Sequence, residues 1–212
     1  MISHKHKFIF IHITKTAGTS IEAALHDETC QLLHGEWDTA RIPHTPLNHL
    51  TLQELADYGV LTPTQLKSYF KFCIVRNPWD RLISEIFCRW MNPWFGDLSL
   101  DARIRRACEQ ASTPTGIANH LRLQHDFVHV NGLQMDFVGR FETLAADFGQ
   151  ICRILGVTAQ LPHHNISAHW PYPEYYDDES KALVAATYQR DIAAFQYEFE
   201  PVGEWGGETV GQ

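Results

Sequence analysis

The chain has 212 residues, of which 44% are hydrophobic and 20% are charged, so it can bury a full core and is not expected to be disordered. Its formal net charge of -8 argues against broad nucleic-acid binding, which needs a basic surface. A small anionic ligand is still compatible with this charge, because a local basic pocket can lie within an acidic surface.

The beginning of the chain predicts a strand rather than a targeting signal. The apolar run Phe8–Ile11 is too short for the core of a signal peptide, and no small-residue cleavage site follows it. No stretch approaches the roughly 20 apolar residues of a membrane span. The five cysteines are odd in number and lack CxxC spacing, which favours reduced thiols. These features predict a cytoplasmic protein without a membrane span.

The thirteen histidines do not follow any familiar metal-binding pattern. They are scattered along the chain, and neither an HExxH motif nor a Cys/His finger spacing is present. We therefore expect no metal site.

Strands and helices alternate along the chain. The predicted strands are residues 8–13, 72–75, 127–130 and 137–138, and the predicted helices are 19–26, 51–58, 63–70, 78–90, 115–124, 144–155 and 184–199. Thr51 and Glu54 have the spacing of a capping box, and Gly156 is placed to end the helix before it. This alternation predicts an α/β fold with a mainly parallel central sheet, and the length suits one domain.

A loop of small and polar residues, Thr-Lys-Thr-Ala-Gly-Thr-Ser at positions 14–20, follows the first predicted strand. Small residues let backbone N–H groups approach an anion, and the next helix offers its free N–H groups and the positive end of its dipole. Lys15 adds a cation, and Thr16, Thr19 and Ser20 add hydroxyl donors. The loop is therefore either a cradle for a phosphate or sulfate group or an ordinary strand-to-helix turn.

The loop does not have the Walker A pattern, which requires GxxxxGK followed by Ser or Thr. Here Lys15 precedes Gly18, and the first glycine of the pattern is missing. This difference weakens an interpretation as an ATPase or kinase.

A second polar group follows the strand at 72–75. Arg76 stands at the end of that strand, where open α/β sheets place their ligand sites, and Ser84 lies about two turns into the next helix. Both side chains suit one phosphate, although Arg76 is also suited to a structural salt bridge. Asp80 is expected to cap or pair, and Arg81 and Glu85 to form a surface pair.

These two segments, residues 10–25 and 72–86, resemble the donor-binding motifs of the PAPS-dependent sulfotransferases of the carbohydrate-sulfotransferase type (sulfotransferase family 2), where PAPS is 3′-phosphoadenosine 5′-phosphosulfate. Residues 136–148 and 175–199 also resemble segments of that family. One departure is Thr14, where the family usually has proline before Lys-Thr.

The resemblance implies a single sulfotransferase domain over residues 1–212, with a core at about 8–200. It implies a three-layer fold like that of P-loop nucleotide kinases, with a mainly parallel central sheet. The implied reaction moves a sulfuryl group from PAPS to an acceptor hydroxyl, most often on a carbohydrate, and releases 3′-phosphoadenosine 5′-phosphate (PAP). No divalent metal is implied.

The resemblance also assigns roles to residues of this chain. The 5′-phosphosulfate is assigned to the loop residues Lys15, Thr16, Ala17, Gly18, Thr19 and Ser20, and the 3′-phosphate to Arg76 and Ser84. Lys15 is the candidate cation at the leaving phosphate. Arg140 either contacts the donor nucleotide or pairs with Glu142.

An acceptor hydroxyl needs a general base, and histidine is the residue type best suited to that role near neutral pH. The family places its base between the two donor motifs, where His49 matches best and His44 is second. Either histidine is also compatible with a purely structural place in a loop.

Two other functions are compatible with the same residues: an ATP-dependent phosphotransferase on a P-loop-like scaffold, and a non-catalytic nucleotide-binding module. For the enzyme, the expected partner is a small-molecule or glycan acceptor. No nucleic-acid partner is expected, and the oligomeric state is not encoded in any motif of the sequence.

Overall fold

The computed structural model describes residues 1–33, 47–111, 118–129, 132–162 and 170–200, without the side chains of Trp90, Asn92 and Ala118. The chain divides into two compact units. The sheet unit comprises Met1–Val75 and Gln124–Asn165, and the helical unit comprises Arg76–Leu123 and Ile166–Gln212.

The described residues of the sheet unit form one five-stranded sheet. Its strands are β1 (Ile2–Ser3), β2 (Phe8–Ile11), β3 (Cys30–Gln31), β4 (Phe70–Val75) and β5 (Phe137–Arg140). Their spatial order is β3-β1-β2-β4-β5. The short strand β1 is antiparallel to β2 and β3, whereas β2, β4 and β5 run parallel to one another. The predicted α/β fold with a mainly parallel central sheet is confirmed.

The sheet unit also contains five helices in its described residues. They are α1 (Gly18–Leu25), α2 (Leu52–Asp57), α3 (Pro63–Ser68), α8 (His125–Val128) and α9 (Leu144–Leu155), with 3-10 turns at Leu47–His49 and Phe141–Thr143. Among these helices, α1 and α9 pack against the sheet. Phe10 and Phe72 from the sheet share a buried cluster with Ile21 of α1 and with Phe148 and Ile151 of α9. The strands thus hold the start of α1 against a rigid apolar layer.

The carboxyl ends of β2, β4 and β5 lie at one edge of the sheet because these strands are parallel. The register pairs Ile11 with Cys73, and Val75 with Arg140. The 14–20 loop leaves β2 at this edge, and Arg76 is the residue that follows β4 in the chain. Ligands of open α/β sheets bind outside this edge.

The helical unit is built from helices over its described residues. They are α4 (Pro78–Ile86), α5 (Asn92–Phe95), α6 (Leu100–Ala111), α7 (Ala118–Leu121), α10 (Asp178–Thr187) and α11 (Gln189–Phe195), with 3-10 turns at Arg89–Met91 and Tyr172–Tyr175. Its core gathers Trp79 and Ile83 of α4 with Tyr172 and Tyr188. The hydroxyl of Tyr188 donates to the carbonyl of Leu121 at 2.9 Å, so this buried phenol keeps a polar partner.

Some element predictions are wrong. Of the run at 127–130, predicted as a strand, Phe127 and Val128 belong to helix α8, and Val130 lies outside the described residues. The helix predicted over 184–199 is two helices, α10 and α11, separated at Tyr188.

None of the helices in the described ranges combines the length and the apolar character that a bilayer span requires.

Candidate functional site

The backbone of the 14–20 loop is unusual at two residues. Lys15 has φ 61° and Ala17 has φ 65°, both in the left-handed region. This region is uncommon for residues with a β-carbon, and it costs roughly 1–2 kcal/mol per residue. Between them, Thr16 is fully buried and its hydroxyl donates to the carbonyl of Ile13 at 2.8 Å. The loop is therefore a tight turn whose shape is held by an internal hydrogen bond.

The first turn of α1 has no capping side chain. Its N-cap residue is Ala17, which forms no side-chain hydrogen bond to the helix, whereas α2, α3 and α10 each begin with a capping box. The positive end of a helix without a cap suits an anionic ligand, because its backbone N–H groups point out of the helix end. Lys15 and Thr19 are half-buried beside it, and Ser20 is buried.

A buried pair that the sequence did not reveal lies under this loop. His12 Nδ1 is 3.2 Å from Glu22 Oε1, and the two side chains are each only 7% exposed. The opposite side of the His12 ring touches Gly18, where a β-carbon would come within 2.2 Å of Cδ2 and Nε2. His12 therefore occupies the space that a side chain at position 18 would fill. The sequence feature that could have indicated this pair is His12, a polar residue directly after a buried strand.

His49, the first candidate base, is buried against this pair. Its ring centroid is 5.3 Å from that of His12, with the rings nearly perpendicular at 80°. The side-chain amide nitrogen of Asn48 lies 3.3–3.4 Å from the two ring nitrogens of His49. His49 thus contacts the His12 ring, and the His12 ring contacts Gly18 of the loop. His44, the second candidate, lies outside the described residues.

Arg140 ends β5 at the same edge of the sheet as the loop. Its backbone N–H donates to Asp147 Oδ2 at 2.7 Å, which fixes the chain at this point. Asp147 also accepts from the hydroxyl of Thr143 at 2.8 Å. The choice between a donor contact and a pair with Glu142 stays a prediction for the Arg140 side chain.

In the helical unit, Arg76 forms a buried ion pair with Asp80. Arg76 Nε is 2.7 Å from Asp80 Oδ2, and the side chains are 8% and 4% exposed. The second oxygen of Asp80 is buried without a hydrogen-bond partner among the described residues. Ser84, one turn further along α4, is buried as well. Asp80 thus orients the guanidinium group that the resemblance assigns to a phosphate.

The expected surface pair of Arg81 and Glu85 is wrong, because both side chains are buried. Arg81 donates to the backbone carbonyls of His120 and Arg122 at 2.9 and 3.0 Å. Glu85 Oε1 lies 2.9 Å from His120 Nδ1. The helical spacing suggested a solvated pair, but α4 is covered on this side by the segment that contains α7.

A groove of about 780 Å³ in the sheet unit lies away from the loop. It is lined by Lys71 near the start of β4 and by Asp136 just before β5, so it opens at the amino ends of the parallel strands. Lys71 Nζ is 2.7 Å from Asp136 Oδ2. This groove is large, but it is not the candidate site, because the 14–20 loop lies at the opposite edge of the sheet, at the carboxyl ends of the parallel strands.

No cluster of three or more His, Cys, Asp or Glu side chains that could hold a metal ion occurs in the part of the chain that the structure describes. All five cysteines are free thiols. Cys73 lies within β4, as the apolar run around it predicted, and burial raises the pKa of its thiol to about 12.

Comparisons with known proteins identify the family of this chain. A model of the Sulfotransferase family matches residues 1–198 of the chain. Human carbohydrate sulfotransferase 9 is 23% identical over 90% of this chain and 47% of its own length. Mouse carbohydrate sulfotransferase 12 is 26% identical over 76% of this chain and 49% of its own length. The chain thus spans about half the length of these curated relatives. No solved structure gives a significant match.

Proposed function

Because this chain belongs to the sulfotransferase family, we propose that it transfers a sulfuryl group from PAPS to a hydroxyl group of a carbohydrate acceptor. The observation that carries this proposal is the loop after β2, in which Lys15 and Ala17 take left-handed conformations ahead of an uncapped helix. Backbone strain of this kind persists where function needs it. The names of the two relatives support a carbohydrate as the acceptor class.

The loop residues are suited to the 5′ end of the donor. The start of α1 directs backbone N–H groups, that of Gly18 among them, toward an anion, while the missing side chain of Gly18 leaves room for the His12 ring. The hydroxyl groups of Thr19 and Ser20 extend this set of donors. The ammonium group of Lys15 neutralises the charge that builds up on the leaving phosphate. Thr16 has a different task, since its hydroxyl already closes the turn onto Ile13.

Arg76 and Ser84 are assigned to the 3′-phosphate. A guanidinium group offers two parallel N–H donors to a phosphate, and Asp80 already holds Arg76 through Nε. This arrangement fixes the plane of the guanidinium before a ligand arrives, which lowers the entropic cost of binding. Arg140 is a further candidate for contact with the nucleotide.

His49 is assigned as the general base that removes the proton of the acceptor hydroxyl. Bound PAPS supplies the sulfuryl group, which passes in line to the acceptor oxygen with charge spread over its equatorial oxygens. His49 is held by Asn48 and by the His12 ring, so its orientation is set by the protein. An imidazole held in one orientation is well suited to accept this proton.

A transfer assay with ³⁵S-labelled PAPS and a panel of desulfated glycans tests the proposal. We expect label to pass to at least one glycan, and Lys15→Ala to reduce turnover by about 10²–10³-fold, the usual effect of removing one transition-state donor. Lys67→Ala is the matched control, because Lys67 is exposed on α3. Undiminished transfer by Lys15→Ala would contradict the proposal. Tight binding of Mg²⁺–ATP without binding of PAP would favour a phosphotransferase instead.

A further inference from the structure

The pair of His12 and Glu22 is more than a buried contact between two side chains. A carboxylate oxygen accepts, so the hydrogen between them belongs to His12 Nδ1. Phe10 stacks on the same ring at 5.9 Å between centroids, and Gly18 closes the Nε2 side. The ring is therefore held on three sides and has one orientation. A buried polar pair whose hydrogen-bonding groups are satisfied makes its surroundings rigid.

The fixed His12 ring is also in direct contact with the ring of His49. The two imidazoles meet edge to face at 5.3 Å, and each residue is at most 9% exposed. Among the described residues, the titratable groups on elements neighbouring His49 include His12 after β2, Lys15 in the loop, Glu22 on α1 and Glu54 on α2. Glu54 is engaged by the backbone N–H of Thr51 at 2.8 Å. The Glu22 carboxylate contacts the His12 ring, and the His12 ring contacts His49.

We propose that His12 and Glu22 are positioning residues for His49: Glu22 fixes the His12 ring, and the pair orients His49 and stabilises the positive charge it gains as the base. This inference rests on the proposed function, since it assigns the pair to the same reaction. A carboxylate behind an imidazole fixes its tautomer and favours a protonated neighbour. Here the effect of the Glu22 carboxylate on His49 is transmitted through the His12 ring.

The charge of Glu22 can be removed with little change in shape. Glu22→Gln retains an oxygen that accepts from His12 Nδ1 but lacks the negative charge. Its matched control is Glu28→Gln, which removes an equal charge from an exposed position just after α1. The readout is an NMR titration of the histidine ring protons of the full chain, with the His49 signal assigned by its loss in His49→Gln.

We expect the titration midpoint of His49 to fall by about one pH unit in Glu22→Gln, because a nearby carboxylate favours the imidazolium form. The acidic limb of the pH profile of kcat should move to lower pH with it, since the base is active when deprotonated. The KM for PAPS should stay within about twofold of the wild-type value, because the loss lies in the chemical step. Glu28→Gln should leave both the titration and the profile in place.

A second variant, His12→Asn, keeps a donor toward Glu22 but removes the ring that touches His49. We expect kcat to fall at least about tenfold, with the KM for PAPS within about twofold. An unchanged His49 titration in Glu22→Gln, or a lower activity with an unmoved pH profile, would overturn the inference. If the His49 midpoint shifts in Glu22→Gln but the wild-type protein transfers no sulfate, the proposed function is overturned, and with it the reaction role of the pair, while the coupling between Glu22 and His49 stands.

Discussion

Gly18 and His12 occupy one space at the start of α1: a β-carbon on residue 18 would lie 2.2 Å from Cδ2 and Nε2 of the His12 ring. The glycine is required here by this close approach, not by its φ angle. His12, directly after β2, and the helix that begins at Gly18 can therefore pack together only if position 18 lacks a side chain.

We expect Gly18→Ala to displace the His12 ring and to lower the free energy of unfolding by about 1–3 kcal/mol, the usual effect of overpacking. Sulfate transfer should fall with it, because His49 loses the ring it rests on. Urea unfolding and the transfer assay measure the two effects.

Gly149→Ala is the control for Gly18→Ala. A β-carbon at position 149 of α9 would have Arg153 Nη1 as its nearest neighbour at 3.7 Å, an ordinary contact. This variant should be more stable than wild type by about 0.5–1 kcal/mol, because glycine is a poor residue within a helix. Equal behaviour of the two variants would contradict the close packing of Gly18 and His12.

Asp80→Asn tests the buried ion pair of the helical unit. The change removes the negative charge that pairs with the buried Arg76 guanidinium, so we expect a loss of about 3–5 kcal/mol in the free energy of unfolding. Asp101→Asn is the control, since Asp101 pairs with Arg105 at the same spacing of four residues on an exposed surface. Urea midpoints should fall strongly for the first variant and barely for the second. A small effect at Asp80 would show that Arg76 is held by other groups.

Cys73 makes the stability of the protein sensitive to alkaline pH. Burial raises the pKa of its thiol to about 12, from about 9 in the unfolded chain. Above pH 9 the unfolded chain releases the proton while the folded protein retains it, so stability falls by up to about 1.4 kcal/mol per pH unit until pH 12. Below pH 9 both states are protonated, and the thiol adds no slope.

The measurement is urea unfolding of wild type and Cys73→Val from neutral to alkaline pH. The difference between the two proteins should be constant below about pH 9 and should shift in favour of Cys73→Val above it. A constant difference over the whole range would show that the Cys73 thiol ionises equally in both states.

Local signals in the sequence predicted several elements well. The capping box of Thr51 and Glu54 is formed, and α2 begins at the next residue. Gly156 ends α9 in the left-handed conformation, and Pro78 stands at the start of α4. These features depend on residues within one or two turns of each other, so the sequence contains all that determines them.

Features that depend on packing were harder to predict. His12 and Glu22 are ten residues apart, and only the turn between β2 and α1 brings them together. The run at 127–130 is too short for its period to separate strand from helix. Strand β1 has two residues, which is too few for any pattern. The buried Arg81 and Glu85 follow a spacing that also suits an exposed helix face.

The assignment of the 14–20 loop and Arg76 to the sulfate donor can be measured by calorimetric titration with PAP, the product that lacks the sulfuryl group. We expect saturable binding of one PAP per chain without added metal. We expect at least tenfold weaker binding, a loss of about 1.4 kcal/mol or more, in both Lys15→Ala and Arg76→Lys, with Lys67→Ala unchanged. Circular dichroism of each variant confirms that the fold is kept. Absence of binding by the wild type, or wild-type affinity in both variants, would contradict the assignment of the loop and Arg76 to the sulfate donor.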